Sequence, residues 1–318
     1  MKAASLKVEA ASEMEARGLV PLEKINRTLR DHLTNPDIAK KAEIIEEHPM
    51  AYVRIRNESK NFVYSEKHFV KQRSSNIWHV PEVIFEAPAK VHVFAFTPKG
   101  DYMVTGGNDS VLHVVNYEER KEAFTLEGHT DTVWAMKFSR DGKFLITGSK
   151  DNTVRIWDFK TRELKATLEG HEKPVNAVMI TADNERIISA SDDGTIRVWN
   201  IADQTEEQCL REHTDAVWCL SLSPGGDQFC SGGQDMDLRI WNVKDWSLAH
   251  TFPNGHLRPI RCCKWGPQER YIVTGSADQT LRIWDVYEKV RLAILRGHSG
   301  AINSVDIAPS SKFAISVG

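Results

Sequence analysis

Histidine, a hydroxyl residue and aspartate recur together along this chain, a combination that forms the catalytic triad of many hydrolases. His129, Thr147 and Asp151 make up the first set, and Trp157 follows six residues after the aspartate. The set returns three times, as His171, Ser189, Asp193 and Trp199; His213, Ser231, Asp235 and Trp241; and His256, Thr274, Asp278 and Trp284. Four copies, each with its own tryptophan, favour a structural role, because buried carboxylate, imidazole, hydroxyl and indole groups can satisfy one another. We therefore predict that the chain is not an enzyme.

These sets lie in a repeat of nearly constant length. Gly-His, or Glu-His in one unit, places histidines at 129, 171, 213, 256 and 298, which are 42 or 43 residues apart, and each tryptophan precedes Asp or Asn. Short apolar runs separated by turn residues such as Asp141-Gly142 predict three strands between each histidine and tryptophan, with a fourth before the next Gly-His. A period of about 40–45 residues with these two motifs is typical of a four-stranded propeller blade.

On these motifs the chain resembles the WD-repeat β-propeller family over about residues 82–318. The resemblance implies an all-β propeller with five complete four-stranded blades, beginning near residues 89, 132, 174, 216 and 259, and an incomplete sixth from about 301. It also implies that the four sets are hydrogen-bonded structural tetrads. The first unit departs from the pattern, with Ala87 in place of histidine and Val115-Asn116 in place of Trp-Asp. The sixth unit stops at Gly318 in mid-blade, so we expect a fragment or a truncated product.

The residues before the repeats divide into three segments by composition. Residues 1–20 are expected to form a flexible tail. Residues 21–50 carry two short amphipathic patterns, which predict two helices that dock within the chain, on a second copy or on a partner. Residues 51–81 are predicted to be a linker with some strand character; basic and aromatic residues alternate over 51–74, as in a solvated strand or a single-stranded nucleic-acid site. Residues 82–86 are expected to form the outer strand of the closing blade.

Composition narrows the function further. A net charge of −3 argues against wholesale binding of nucleic acid or membrane, and no apolar run has the length of a membrane span. The five cysteines include no Cys-x-x-Cys pair, so we expect small buried thiols in a reducing compartment and no metal. No phosphate-binding loop or metalloprotease motif is present, and we expect no cofactor. The predicted location is the cytoplasm, with the nucleus as the alternative.

The resemblance implies a scaffold whose top face binds other proteins. Its contact positions lie three and five residues after the Gly-His histidine and one before the tetrad aspartate. In this chain they include Thr132, Trp134, Lys150, Asn176, Trp218, Gln234, Arg261 and Asn303. Trp134, Trp218 and Arg261 are the strongest candidates, because these residue types dominate binding hot spots; the alternative is that both tryptophans pack between blades.

Two other functions stay open from the sequence. A substrate receptor of a ubiquitin ligase often has arginine two residues after the Trp-Asp aspartate, and the corresponding residues here are Lys160, Ala202, Lys244 and Tyr287. Lysine keeps the charge of arginine without its planar donor geometry, so the pattern supports this function only weakly. An RNA-associated subunit would use the basic segment 51–74.

Overall fold

A computed structural model describes residues 87–310 and 313–318. The predicted tail (1–20), the two helices (21–50), the linker (51–81) and the strand at 82–86 lie outside the described residues. Within the described ranges the chain forms 22 β-strands and no helix.

The strands are grouped into six antiparallel sheets in chain order. The first contains β1 (Val91–Phe96), β2 (Tyr102–Gly107), β3 (Leu112–Asn116) and β4 (Lys121–Leu126). The second contains β5 (Val133–Phe138), β6 (Phe144–Ser149), β7 (Val154–Asp158) and β8 (Glu163–Leu168). The third contains β9 (Val175–Ile180), β10 (Arg186–Ser191), β11 (Ile196–Asn200) and β12 (Glu206–Leu210). The fourth contains β13 (Val217–Leu222), β14 (Gln228–Gly233), β15 (Leu238–Asn242) and β16 (Leu248–Phe252). The fifth contains β17 (Ile260–Trp265), β18 (Tyr271–Ser276), β19 (Thr280–Asp285) and β20 (Val290–Arg296), and the sixth pairs β21 (Ser304–Ile307) with β22 (Ala314–Val317).

The predicted all-β fold of repeated four-stranded sheets is confirmed. Each of the first five sheets pairs its strands in sequence order, as a meander, without a crossover. Their first strands begin at 91, 133, 175, 217 and 260, one or two residues after the predicted positions. The sixth begins at 304, three residues later than predicted.

Tight turns reverse the chain between neighbouring strands. In the second sheet Gly142 (φ 72°), Asn152 (φ 70°) and Arg162 (φ 63°) occupy the left-handed region at three successive turns. The first of these turns is also held by Asp141, whose side chain accepts a hydrogen bond from the Lys143 backbone N–H at 3.0 Å. Glycine and asparagine suit such positions because they tolerate a positive φ. Sequence turn signals therefore mark the strand ends well.

The hairpin order brings particular loops together. Since neighbouring strands are antiparallel, the start of the first strand, the end of the second and the start of the third lie at the same end of each sheet. The loop between sheets and the second-to-third turn are therefore neighbours. We call this end the loop end. It carries the side chains three and five residues after each Gly-His histidine and one residue before each tetrad aspartate.

Apolar side chains fill the space between consecutive sheets. Ile146 and Ile156 of the second sheet, both fully buried, pack in one cluster with Val175 and Val178 of the third. Gly148 permits this approach, because a Cβ there would lie 2.7 Å from Val175 Cγ1. The first strand of each sheet also contacts the first strand of the next, from β1 to β21. Consecutive sheets are therefore joined to one another through their first strands.

All five cysteines lie in strands as free thiols. Four are buried, and Cys209 on β12 is half-buried. Cys219, Cys230 and Cys263 belong to the apolar core between the fourth and fifth sheets. Burial raises the pKa of the Cys262 thiol to about 12, so that thiol is neutral at physiological pH.

Candidate functional site

Each recurring set of four residues forms one hydrogen-bonded cluster. In the third sheet His171 Nδ1 lies 2.8 Å from Asp193 Oδ2, and Nε2 lies 2.8 Å from Ser189 Oγ. Trp199 Nε1 donates to the same hydroxyl oxygen at 2.8 Å. The second, fourth and fifth sheets contain the same three contacts at 2.7 to 2.9 Å. The structure thus brings together all four members of every predicted tetrad.

The secondary structure explains how four residues so far apart in sequence meet. The histidine lies in the loop before the first strand, the hydroxyl residue in the middle of the second, and the aspartate in the turn after the second strand. The tryptophan lies on the third strand, where Trp199 is directly opposite Ile187 of β10. The tetrad therefore joins the intersheet loop to three elements of its own sheet.

The hydrogen bonds also decide what the tetrads can do chemically. A neutral histidine with its proton on Nδ1 donates to the aspartate and accepts from the hydroxyl, whose oxygen accepts from the indole N–H. Every donor then has an acceptor. The hydroxyls of Thr147, Ser189, Ser231 and Thr274 are fully buried, so no substrate can reach them. The arrangement is suited to holding a fold and unsuited to nucleophilic attack.

Electrostatics in the tetrads of the second and fifth sheets favour a neutral histidine beside a charged aspartate. Burial lowers the pKa of His129 despite the nearby Asp151, and it lowers the pKa of His256 to about 4. For Asp151, burial acts to raise the pKa, but hydrogen bonds from His129 and Thr153 outweigh it and bring the pKa well below its usual range. The same opposition of burial and hydrogen bonding leaves Asp278 with a pKa of about 2.

The predicted partner-binding residues lie at the loop end. Trp134, Trp218 and Arg261 lie near the starts of β5, β13 and β17, and Lys150 and Gln234 lie in the second-to-third turns. Lys150, Gln234, Arg261 and Asn303 are exposed, Trp134, Asn176 and Trp218 are half-buried, and Thr132 is buried. The antiparallel order therefore places all eight at one end, while only four of them are exposed.

Several of these side chains bind one another across sheet boundaries. Asp192 of the third sheet accepts from Asn176 at 2.7 Å and from the Trp218 indole N–H of the fourth sheet at 3.1 Å. Arg261 of the fifth sheet donates to Asn303 of the sixth at 2.5 Å. The side chain of Trp134 makes no hydrogen bond to another described residue. The indole N–H of Trp218 is thus used in a hydrogen bond between two sheets. The indole N–H of Trp134 has no acceptor among the described residues.

Comparison with known protein families decides the identity of the repeat. Five segments match the family model of the WD domain, G-beta repeat: residues 120–158, 162–200, 204–242, 246–285 and 289–318. Together they cover more than half of the chain. The chain belongs to the WD-repeat family. Each matched segment begins in or just before the fourth strand of one sheet and extends through three strands of the next, or two in the sixth sheet, so the WD repeats overlap successive sheets.

Individual WD-repeat relatives match only short parts of the chain. A guanine nucleotide-binding protein subunit beta from Schizosaccharomyces pombe is 35% identical over 57 residues, which is 18% of each chain. The U5 small nuclear ribonucleoprotein 40 kDa protein of Pongo abelii is 37% identical over 68 residues, 21% of this chain and 18% of that protein. Coatomer subunit beta'-1 of Arabidopsis thaliana is 31% identical over 70 residues, 20% of this chain and 8% of that protein. The matches therefore span less than a fifth of these relatives.

Two further positions of the repeat support the WD-repeat tetrads and were missed in the sequence. Thr153, Thr195 and Thr280 lie two residues after the tetrad aspartate, and each donates its hydroxyl proton to it at 2.6 to 2.7 Å. In the fourth sheet Asp237 takes this place, and Arg239 compensates by binding both Asp235 (2.5 Å) and Asp237 (3.0 Å). The sequence did contain a signal for the arginine position, because an arginine precedes each tetrad tryptophan by two residues in all four repeats.

The first sheet lacks a tetrad but uses its aspartate differently. Thr105 occupies the hydroxyl position, and its buried oxygen has no hydrogen-bond partner among the described residues. His113 lies at the position that holds arginine in the other sheets and places Nε2 3.0 Å from Asp109. Its Nδ1 lies 2.7 Å from Glu122 on β4. The four strands of this sheet therefore assemble without the tryptophan and the loop histidine.

No group of three or more histidine, cysteine, aspartate or glutamate side chains within residues 87–310 and 313–318 is arranged to hold a metal ion. A search of the same residues for a helix long and apolar enough to cross a membrane finds none.

Acid is expected to destabilise the WD repeats through their tetrads. His256 has a folded pKa of about 4 and an ordinary value of 6.5, so the unfolded chain binds more protons between these pH values. Its stabilising contribution is complete above pH 6.5 and is lost as the pH falls toward 4. Asp278, with a folded pKa of about 2, loses its contribution below its ordinary 3.8. Melting temperatures measured from pH 8 to pH 4 should be level at first and then decrease.

The variant His256→Gln provides the control for this pH dependence. It removes one titrating group, so the free energy of unfolding should change less steeply between pH 6.5 and 5, by about 1.4 kcal/mol per pH unit at most. A melting temperature that rises as the pH falls through this range would contradict neutral, buried tetrad histidines.

Proposed function

We propose that this chain is a non-catalytic scaffold or complex subunit that binds another protein through its loop end. The observation that carries the proposal is the contrast between interior and surface. The tetrads repeat the same contacts in four sheets, whereas the loop end presents a different set of side chains in each. A repeated interior stabilises a rigid array of sheets, and varied side chains at one end can recognise one partner.

Trp134 is the central element of the proposed surface. It is half-buried, so its ring is fixed by packing while part of its face and its indole N–H stay available. Exposed Lys150 and Arg261 add donors for polar groups of a partner, and a rigid aromatic beside a planar guanidinium offers contact area at low entropic cost. The names of the relatives, which include a subunit of a guanine nucleotide-binding protein and a coatomer subunit, support a role within a complex.

A triple variant tests the loop end. Changing Trp134, Trp218 and Arg261 to alanine should reduce the amount of partner captured from cell extract by roughly tenfold or more, since hot-spot residues contribute about 2 kcal/mol each. The matched control changes Leu164, Leu248 and Tyr287 to alanine, because these exposed apolar side chains lie on outer strands or in a third-to-fourth turn. Captured proteins would be compared by quantitative mass spectrometry, with far-ultraviolet circular dichroism as the check on folding.

Two results would contradict the proposal. If the folded triple variant retained every partner of the native chain, the binding surface would lie elsewhere. If the outer-strand control lost the same partners to the same extent, the loss would reflect general surface change. Capture that disappears after ribonuclease treatment would instead support an RNA-associated role.

A further inference from the structure

The arginine that precedes the tetrad tryptophan is incompletely paired in the fifth sheet. Arg282 is buried, donates to the Gly255 carbonyl oxygen at 2.5 Å and lies 3.4 Å from Asp278 Oδ2. Its Nε has no hydrogen-bond partner among the described residues. Asp278 also binds His256 and Thr280, so Arg282 has only a share of one carboxylate.

The strand register brings two exposed arginines to the same face of this sheet. Arg291 of β20 lies directly opposite Trp284 of β19, and Arg296 lies opposite Thr280. Directly opposite residues share a face, and diagonal neighbours are within reach of long side chains. Arg282 lies midway between Trp284 and Thr280 along β19, so both exposed arginines are its diagonal neighbours. We call Arg282, Arg291 and Arg296 the arginine trio.

Two other sheets show that side chains on this diagonal touch. In the third sheet Glu206 lies opposite Trp199, and its carboxylate accepts a hydrogen bond from Arg197. In the first sheet Glu122 holds the same register position, and its Oε2 lies 2.7 Å from His113 Nδ1. The same β-bulge occurs at this position in all three sheets. The fifth sheet therefore has a cation at the position where the first and third sheets have a carboxylate.

The arginine trio carries more positive charge than its surroundings balance. Its three guanidinium groups face the single negative charge of Asp278, because His256 is neutral, and two positive charges remain. Neither Arg291 nor Arg296 forms an ion pair with another described residue. Burial lowers the pKa of Arg282 and Asp278 opposes this effect, while the charges of Arg291 and Arg296 lower the pKa further.

The arginine trio lies at the outer margin of the loop end. Arg296 is the last residue of β20, and Thr280 opposite it is the first residue of β19. The start of a third strand belongs to the loop end, and the end of the fourth strand lies beside it. A segment that crosses the loop end over the fifth sheet can therefore reach the exposed arginines.

We propose that the arginine trio binds the phosphate group of a phosphorylated serine or threonine in a protein segment that docks on the loop end. The inference rests on the proposed function and names the chemistry of the partner. A phosphate monoester carries a charge of about −1.5 to −2 at pH 7 and three acceptor oxygens, which suits two unbalanced charges on planar donors. A single carboxylate would balance only half of this charge.

Short synthetic peptides test this chemistry on the full chain. The probe is a fluorescein-labelled pentapeptide with phosphoserine between pairs of glycines, its serine and glutamate counterparts are the comparisons, and fluorescence anisotropy follows binding. Combining Arg291→Gln with Arg296→Gln should weaken binding of the phosphopeptide by roughly tenfold or more. Arg211→Gln is the matched control and should leave binding unchanged. Arg211 directly follows β12, at the place of Arg296, in a sheet whose arginine already has a carboxylate.

Arg291→Glu separates loss of the site from loss of the fold. It supplies the carboxylate that Glu206 provides in the third sheet, so Arg282 gains an ion pair and the melting temperature should stay equal or rise. Binding of the phosphopeptide should nevertheless fall by roughly tenfold or more, because a negative charge replaces a positive one. A lower melting temperature would show that the diagonal contact with Arg282 is wrong.

Three other results would overturn the proposal. In the first, Arg291→Glu binds the phosphopeptide as tightly as Arg211→Gln does. In the second, the serine or the glutamate peptide binds as tightly as the phosphopeptide. In the third, phosphatidylcholine vesicles that contain a phosphatidylinositol phosphate bind more tightly than the phosphopeptide through the same arginines, which would favour a membrane surface.

The outcome is separable from that of the proposed function. Partner capture can require Trp134 and Trp218 and yet be unaffected by Arg291→Glu and by phosphatase treatment of the extract. In that case the loop end is the binding surface and the phosphate chemistry is wrong. If the alanine changes at Trp134 and Trp218 leave capture intact, the proposed function itself fails, whatever the phosphopeptide does.

Discussion

Replacing Trp199 with alanine is expected to lower the free energy of unfolding by about 3–5 kcal/mol, as truncation of a large core aromatic does. The ring is 2% exposed and packs in the apolar core between the second and third sheets. Its loss would leave a cavity beside Ile187 and would remove the indole donor to Ser189. Urea unfolding followed by tryptophan-independent far-ultraviolet circular dichroism would measure the change.

Two variants separate the causes of this effect. Trp199→Phe keeps most of the ring volume and removes only the N–H, so it should cost about 1 kcal/mol. Trp134→Ala removes a half-buried side chain that makes no hydrogen bond to another described residue, so its effect should be clearly smaller than that of Trp199→Ala. Equal losses for Trp199→Ala and Trp134→Ala would show that the tetrad tryptophan has no special structural role.

Loss of a tetrad aspartate is expected to lower the free energy of unfolding nearly as much as loss of a tetrad tryptophan. Asp193 accepts hydrogen bonds from His171, from the hydroxyl and backbone N–H of Thr195, and from the backbone N–H of Glu172. Asp193→Ala removes the acceptor of all four donors, and each buried unsatisfied group costs about 1–3 kcal/mol, so a loss of about 3 kcal/mol or more is expected. Thermal and urea unfolding both measure it. His171→Ala, which leaves the carboxylate with its other donors, should cost less, about 1–3 kcal/mol.

The chain contains a matched control for this change. Asp109 occupies the same position in the first sheet, where neither the loop histidine nor the tryptophan is present, and its side chain accepts from His113 and weakly from Val111. Asp109→Ala should therefore destabilise far less than Asp193→Ala. The opposite order would mean that tetrad hydrogen bonds contribute little to the stability of the sheets.

The sequence was sufficient to predict the sheets because the repeat combines three independent signals. Turn residues such as Asp141-Gly142 set the strand ends, alternating apolar residues set the buried faces, and the constant histidine spacing sets the register between sheets. The first strand of each sheet begins one to three residues after its predicted position. The short segment between the loop histidine and this strand has no sequence pattern of its own that would fix the start.

The side-chain chemistry at the loop end could be predicted only in part. The positions followed from the antiparallel order, but the pairings of Asn176 and Trp218 with Asp192 depend on how closely neighbouring sheets approach. The role of His113 was also missed in the sequence. This residue occupies the position at which the four tetrad repeats have arginine, and the recurrence of that arginine was not used as a signal.

The contrast between a repeated interior and a varied loop end has a consequence for the geometry of assembly. From one sheet to the next the tetrad contacts repeat, yet the side chain five residues after the loop histidine changes from Trp134 to Asn176, from Trp218 to Arg261 and from Arg261 to Asn303. The framework is therefore pseudosymmetric and the binding end is not. If a partner binds the loop end as proposed, it meets complementary side chains in one orientation only, so we expect a single copy to bind.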